Sequence, residues 1–160
     1  MLEISIDNRK PNQTDLDHIN DIIKVAIDTW QLPERVKRMS LPLYYYQQDD
    51  LIHMHFLIAE IAGIGIVGLA ALEETDTIEL AGAQRTMLLH GLYVAPYYHR
   101  RGIATRLVES AELCACKYDV SGLLVKAQAD SAPFFNKKGF TKLLVEDFSR
   151  DYGHRYLKMI

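Results

Sequence analysis

The hydrophobic pattern of the chain begins with an alternation of apolar and polar residues over positions 2–7. Such alternation is typical of a strand with one buried face. A polar turn follows, and Thr14 with Asp17 three residues later matches a capping box that starts a helix. Apolar side chains then recur at helical spacing from Leu16 to Trp30, and Pro33 follows them. We therefore predict a strand and then an amphipathic helix.

The rest of the chain divides into segments whose spacing predicts either helices or strands. The predicted helices are Glu34–Gln48, Gly102–Tyr118 and Asp130–Lys138. The predicted strands are His55–Ile61, Ile64–Glu74, Met87–Val94, Leu123–Ala127, Phe140–Phe148 and Tyr156–Ile160, with a loop at Asp76–Thr86. The predicted order is therefore β, α, α, β, β, β, α, β, α, β, β, in one domain over residues 1–160.

The composition is ordinary for a globular protein, since 49% of the 160 residues are hydrophobic and 24% are charged. The formal net charge of −3 gives no reason to expect a nucleic-acid or membrane partner. The longest apolar run, Ile61–Leu72, contains three glycines and is too short to span a bilayer. The first residues do not resemble a signal peptide, so we expect a cytoplasmic protein.

The two cysteines, Cys114 and Cys116, fall inside one predicted helix. Residues two apart on a helix point to different faces, so the pair suits neither a disulfide nor a metal site. We expect reduced thiols, as in a cytosol-like compartment, and no bound metal.

The stretch Leu89–Arg106 carries the most chemical information in the sequence. Its pattern predicts a strand, a short loop and a helix that begins at Gly102. The first amides of a helix lack intrahelical partners and carry the positive end of its dipole, so they bind anions. Arg100, Arg101 and Arg106 add positive charge. The pattern favours a phosphate or diphosphate ligand, and the alternative is a surface helix with solvated arginines.

The sequence lacks the motifs of two common phosphate sites, and one of its segments resembles the motif of a third. The chain has no P-loop pattern GxxxxGK[ST] and no GxGxxG after its first strand. The residues His99–Ala104, HRRGIA, instead resemble the [Gln/Arg]-x-x-Gly-x-[Gly/Ala] signature of the GNAT superfamily, with His99 in the first position. The downstream block Ala132–Phe140, APFFNKKGF, is similar to the family pattern Phe-[Tyr/Phe]-x-Lys-x-Gly-Phe.

This resemblance implies both a fold and a reaction. The GNAT fold is an α/β (α+β) architecture with a mixed, mostly antiparallel central sheet of six or seven strands, flanked by about four helices. The resemblance implies an N-acetyltransferase that moves an acetyl group from acetyl-CoA to a primary amine, by direct transfer in a ternary complex. The resemblance does not identify the amine. It also implies that the protein could form a homodimer.

A cofactor site is implied by the same resemblance. The strand before the motif is expected to hydrogen-bond the pantetheine arm of acetyl-CoA through Leu92, Tyr93 and Val94. The residues expected around the diphosphate are His99, Arg100, Arg101, Gly102, Ile103, Ala104 and Thr105, chiefly through their backbone amides. Phe134 and Asn136, on the next predicted helix, are expected to flank the CoA.

Acetyl transfer needs a neutral amine, so a base is expected, as is a donor to the carbonyl oxygen. His90 is the candidate base, since an imidazole takes up a proton near neutrality, and the alternative is a histidine packed under the sheet. By resemblance, the donor is the Val94 N–H. The family's usual acid is a tyrosine, and this chain has Phe135 in that position. The tyrosines considered as substitutes are Tyr93, Tyr98 and Tyr152.

The acceptor pocket is expected between Asp28–Gln48 and the loop Ser149–Arg155. Trp30 and Tyr44–Tyr46 either form an aromatic wall for an amine or close the core. Two other functions stay open at this point. One is a non-catalytic module that senses acyl-CoA, and the other is an acetyltransferase for protein lysines or N-termini.

Overall fold

The computed structural model of the protein describes residues 2–77, 84–145, 149 and 153–160. The strands are β1 (Ile4–Asn8), β2 (Met54–Ile61), β3 (Gly65–Thr77), β4 (Gln84–Val94), β5 (Gly122–Lys126), β6 (Thr141–Lys142) and β7 (Arg155–Met159). Within the described ranges they form one seven-stranded sheet in the order β1-β2-β3-β4-β5-β7-β6. Neighbouring strands are antiparallel except β4 and β5, which are parallel. This mixed, mostly antiparallel sheet confirms the predicted fold class.

Helices cover both faces of the sheet. They are α1 (Gln13–Asp28), α2 (Glu34–Tyr44), α3 (Ile103–Ala115) and α4 (Ala132–Lys137). The apolar stripe of α1 packs in one core cluster with residues of β2, β3 and β4, and the stripe of α3 packs in a second cluster that also contains Phe135 of α4. We call the two sides of the sheet the α1 face and the α3 face. None of the described helices is long and apolar enough to cross a membrane.

The two parallel strands pair over only part of their length. Their ladder ends where Leu89 of β4 lies opposite Val125 of β5. β5 ends one residue later at Lys126, whereas β4 continues to Val94. A gap therefore opens in the sheet beside the last residues of β4.

A β-bulge in β4 lies at the start of this gap. Ala71 and Leu72 are consecutive in β3, yet they lie opposite Gly91 and Leu89, so His90 is the extra residue. A bulge bends its strand and changes the direction of the side chains that follow. The bend therefore comes at the position where β4 leaves β5.

The start of α1 differs from the prediction. The Asn12 side chain accepts a hydrogen bond from the Asp15 N–H at 2.8 Å, and the Asp15 carboxylate accepts one from the Asn12 N–H at 2.9 Å. The capping box is therefore Asn12 with Asp15, and the predicted box of Thr14 with Asp17 is wrong. Thr14 already lies inside the helix, because the box that forms is two residues closer to β1.

The second predicted helix is too long by four residues. α2 ends at Tyr44, and Tyr45 has an extended backbone. Pro42 lies in its last turn and has no N–H to donate, so the helix loses a hydrogen bond there. A short 3-10 helix, Gln48–Ile52, follows.

Two strand boundaries also differ from the prediction. β3 and β4 extend into the predicted loop Asp76–Thr86, where Thr75 pairs with Thr86. Pairing across the ladder supplies the hydrogen bonds that make these polar segments strands. Residues 78–83 of that loop lie outside the described residues. The predicted strand Phe140–Phe148 pairs only at Thr141–Lys142, and its residues 146–148 lie outside the described ranges.

The capping contact gives a prediction for stability. Asn12→Ala removes the side chain that caps the first turn of α1, so the free energy of unfolding should fall by about 1 kcal/mol. Thr14→Ala is the matched control, because Thr14 is exposed inside the helix and alanine is a better helix former. Urea denaturation of both variants measures the difference. An equal loss in both variants, or a loss only in Thr14→Ala, would contradict the assignment of the cap.

Candidate active site

A cleft of about 720 Å³ lies where β4 and β5 separate. This volume is within the range of small-molecule sites. The cleft is walled by the end of β4, the turn before α3, the start of α4 and the C-terminal end of α1. Of the residues expected to bind cofactor, those in the wall are Leu92, Tyr93, Val94, His99, Arg100, Gly102, Ile103, Ala104, Thr105 and Phe134. Arg101 and Asn136 are exposed and lie outside it.

Backbone groups at the end of β4 face this cleft. The Ala95 N–H donates to the Val67 carbonyl of β3 at 2.8 Å. Because backbone groups of successive residues in a strand point in opposite directions, those of Val94 and Leu92 point away from β3. β5 does not pair with this part of β4, so these groups point into the gap.

Tyr93 differs from its two neighbours in this respect. It lies opposite Leu69 in the β3–β4 ladder, and the alternation turns its backbone groups toward β3. Of the three residues expected to bind an extended arm through the main chain, the structure therefore directs Leu92 and Val94 into the gap. Tyr93 contributes its side chain to the wall instead.

The turn before α3 exposes the amides at the start of the helix. Gly102 is the N-cap and has a left-handed backbone with φ of 79°. Because glycine has no side chain, it cannot cap the helix with one. The amides of Ile103, Ala104 and Thr105 stand in the first turn, where intrahelical partners are lacking. A side chain built at Gly102 would meet no atom within 4 Å, which shows that the space beside it is open. This arrangement can bind an anion.

Arg100 is the second left-handed residue of this turn, with φ of 60°. Such a backbone is uncommon for a residue with a side chain, and strained residues of this kind concentrate at functional sites. Arg100 and Lys137 bring positive charge to the cleft wall. Arg101 instead lies over two tyrosine rings of the preceding turn, at 5.8 and 5.4 Å, and Arg106 donates to the backbone of β1 at 2.9 Å.

His99 ties the turn to the end of β4. Its Nε2 lies 2.9 Å from the Val94 carbonyl oxygen. A carbonyl oxygen only accepts, so Nε2 carries a proton and donates it. This bond occupies the Val94 carbonyl and leaves the N–H of the same residue directed at the gap.

The α1 face supplies an aromatic wall at the other end of the cleft. Trp30 is half-buried and lines the cleft, with its ring edge-on to Tyr44 at a centroid distance of 5.4 Å. Gln128, just beyond β5, donates to the Tyr44 hydroxyl at 3.4 Å. The ends of α1, α2 and β5 thus meet here. Tyr46 is instead buried in the core cluster on the α1 face, against which Trp30 and Tyr44 pack.

The described part of the cleft wall has few side chains that could donate a proton to a leaving group. Phe135 is 4% exposed and packs edge-on against Phe134 and Phe140, so an apolar ring stands where the family has a tyrosine. Tyr93 and Tyr98 also line the cleft. Burial raises the pKa of Tyr93 above its ordinary value, with a smaller contribution from a neighbouring tyrosine, so its hydroxyl holds its proton more tightly. Tyr152 lies outside the described residues.

His90, the candidate base, is exposed and lies outside the cleft wall, at the bulge of β4. Its Nδ1 lies 3.0 Å from the Tyr46 hydroxyl. The side chain is exposed and contacts the buried Tyr46 ring at a centroid distance of 5.6 Å, and the choice between a base and a structural histidine stays a prediction.

Sequence reasoning did not single out Lys137 or the contact between Tyr46 and His90. Lys137 follows Phe134 by three residues, a spacing that places both on one side of a helix, so that signal was present. The Tyr46–His90 contact joins residues 44 apart in the chain, and no local pattern indicates it.

The chain belongs to the acetyltransferase (GNAT) domain family, whose model matches residues 34–160. A search of curated proteins by sequence finds no significant match. Across the described part of the chain, no group of three or more histidine, cysteine, aspartate or glutamate side chains is placed to hold a metal ion.

Solved structures share the fold over nearly the whole chain. The PaiA N-acetyltransferase from Thermoplasma acidophilum, in complex with coenzyme A, aligns with a TM-score of 0.71 at 18% identity over 96% of both chains. A GCN5-related N-acetyltransferase from Rhodopseudomonas palustris gives 0.70 at 20% identity, over 99% of this chain and 96% of that one. A tyrosine-to-phenylalanine variant of the AtaT toxin, bound to the C-terminus of the antitoxin AtaR and acetyl-CoA, gives 0.65 at 15% identity, over 98% and 92%.

Proposed function

We propose that the protein transfers the acetyl group of acetyl-CoA to a primary amine, directly, while both substrates are bound. The observation that carries this proposal is the course of the cleft through the split sheet. The anion-binding turn of α3 lies at one end, and the aromatic wall at the end of α1 lies at the other. Membership of the GNAT family and the coenzymes bound by related structures support it.

The coenzyme is proposed to enter with its diphosphate at the turn. The amides from Arg100 to Thr105 are the proposed donors to the phosphate oxygens, and Arg100 and Lys137 bring positive charge to the cleft wall. The pantetheine arm contains two amide groups, which suits an extended strand edge. The backbone groups of Leu92 that face the gap are its proposed partners.

This placement brings the thioester to the end of β4. The Val94 N–H points into the gap and is the proposed donor to the carbonyl oxygen, on which negative charge grows in the transition state. A donor fixed in the backbone needs no reorganisation when that charge develops. The bond from His99 to the Val94 carbonyl holds this peptide in place.

The acceptor is proposed to reach the thioester from the α1 face. The neutral amine nitrogen forms a bond to the acetyl carbon, the carbon–sulfur bond breaks, and the proton lost by nitrogen passes to water. The electron pair leaves on sulfur as the CoA thiolate. Thiols have a pKa of about 8.5, so a thiolate is a stable leaving group. The reaction therefore needs no acid at the position of Phe135.

A small amine is favoured over a protein lysine. Trp30 and Tyr44 pack edge to face, and Gln128 bridges from the far side of the split to Tyr44. Of these three residues Trp30 lines the cleft, so the proposed acceptor end presents an aromatic ring that packs against Tyr44. An apolar, aromatic surface of this kind suits an amine carried on an apolar or aromatic body.

A non-catalytic acyl-CoA module is the second candidate, favoured by the buried Phe135 ring in the tyrosine position. Release of free CoA from acetyl-CoA, measured over a panel of aryl-alkyl amines, alkyl amines and lysine peptides, separates the two. We expect at least one small amine to raise the release above background hydrolysis. Binding of acetyl-CoA with no amine raising the release would favour the module.

The diphosphate site gives a separate prediction. Gly102→Val places a side chain in the open space of the turn, so the Kd for acetyl-CoA should rise at least about tenfold, or about 1.4 kcal/mol. Gly63→Val is the matched control, because Gly63 has a nearly equal φ of 78° and equally open surroundings in the turn between β2 and β3. Calorimetry measures both affinities, and thermal unfolding measures the strain that both share. Equal affinity in the two variants would contradict the site.

A further inference from the structure

We propose that Tyr46 is a positioning residue that donates a hydrogen bond to Nδ1 of His90 and so holds the ring with its proton on Nε2. His90, which lies outside the cleft wall, would then offer the acetyl acceptor a hydrogen-bond donor in place of the general base that the sequence suggests. The catalytic meaning of this inference rests on the proposed acetyl transfer. The state of the ring itself follows from the contacts around it.

Tyr46 is firmly held. Its side chain is 3% exposed and packs edge-on against Phe56, with ring centroids 5.2 Å apart. The Asn20 side chain, on α1, hydrogen-bonds both backbone groups of Tyr46. Its Nδ2 donates to the Tyr46 carbonyl and its Oδ1 accepts from the Tyr46 N–H, each at 2.9 Å. The hydroxyl therefore meets His90 from a fixed position.

The Tyr46 hydroxyl is the donor in its hydrogen bond with His90, because a buried O–H requires an acceptor. Burial raises the pKa of Tyr46 well above its ordinary value, with smaller contributions from Tyr93, Asp50 and Glu73, so the hydroxyl keeps its proton. Among the described residues, His90 Nδ1, at 3.0 Å, is its recorded hydrogen-bond partner. A buried O–H left without an acceptor is costly, so the hydroxyl donates and Nδ1 accepts. A neutral ring that accepts at Nδ1 carries its proton on Nε2.

The other two states of the ring fit this site less well. A proton on Nδ1, in the other neutral tautomer or in the imidazolium, would point at the Tyr46 oxygen and make it accept. The buried O–H would then lose its acceptor among the described residues.

The bulge connects this pair to the cleft. His90 and Gly91 both lie beside Tyr46, because a side chain built at Gly91 would collide with the Tyr46 hydroxyl and come within 2.8 Å of the Tyr93 ring. Tyr93 lines the cleft, and Tyr46 belongs to the core on the α1 face. His90 is thus exposed beside Tyr46, which belongs to the core on the α1 face, and it lies outside the cleft wall. Its Nε2–H can donate a hydrogen bond to an oxygen or nitrogen atom of the amine substrate.

Histidine-selective NMR of the protein at pH 8 tests the tautomer directly. We expect the His90 ring to show the Nε2–H tautomer, and Tyr46→Phe to convert it to a mixture. Tyr118→Phe is the matched control, because the Tyr118 hydroxyl lies 3.4 Å from His55 Nδ1 in a second tyrosine–histidine contact away from the cleft. That variant should leave the His90 signals unchanged. A wild-type His90 that shows the Nδ1–H tautomer, or a Tyr46→Phe spectrum equal to the wild type, overturns the inference.

Kinetics separate a donor from a base. His90→Ala should lower kcat/KM for the amine by about tenfold or less, as expected for one lost hydrogen bond. His90→Gln, whose amide donates but is not basic, should recover at least about half of that loss on a logarithmic scale. Loss of a general base costs roughly 100- to 10,000-fold. A loss of that size, equal in the alanine and glutamine variants, overturns the donor role.

The two proposals fail in different ways. If no amine is acetylated by the wild-type protein, the acetyl transfer proposal fails, and the NMR spectrum still decides the state of His90. If an amine is acetylated and Tyr46→Phe changes neither the spectrum nor kcat/KM, acetyl transfer stands and the positioning role of Tyr46 fails. Unchanged affinity for acetyl-CoA in Tyr46→Phe shows that the variant is folded.

Discussion

The site depends on backbone hydrogen-bonding groups that the fold itself leaves without partners. Beyond Leu89, β4 has no β5 residue beside it, and the first amides of α3 follow a glycine that cannot cap them. Backbone groups of this kind, which have no partner in the protein, are satisfied by water or by a ligand. Both sets open on one cleft. A ligand with an extended amide arm and a diphosphate would satisfy them together, and this is the basis on which we propose coenzyme A as the ligand.

The rest of the structure keeps that edge open and fixed. The bulge at His90 turns β4 where β5 ends, and the His99 ring ties the following turn back to the strand. Gly68 lets β3 approach closely behind the edge, since a side chain there would come within 2.9 Å of the Tyr93 carbonyl oxygen. Cores on both faces hold the split sheet between α1 and α3. The opening is therefore part of the packed fold.

Periodicity predicted the long helices and most strands, because each buries one continuous stripe. The motif at His99–Ala104 indicated the cleft for a related reason, since a helix start preceded by glycine carries its anion-binding groups in its own backbone. Local patterns did not predict that the polar stretch Asp76–Thr86 would extend both strands, as ladder pairing decides that. They also did not indicate that Tyr46 meets His90, because packing of the whole domain brings them together.

An amide-resolved NMR titration with coenzyme A tests the central claim most directly. The account predicts that the largest shifts fall on the N–H signals of Leu92, Val94 and residues 103–105, the groups that the sheet and the helix leave unpaired. It also predicts that the amides of the turn at Gly63 stay unmoved. Saturable binding that leaves the signals of residues 92, 94 and 103–105 unchanged while others shift would contradict the account.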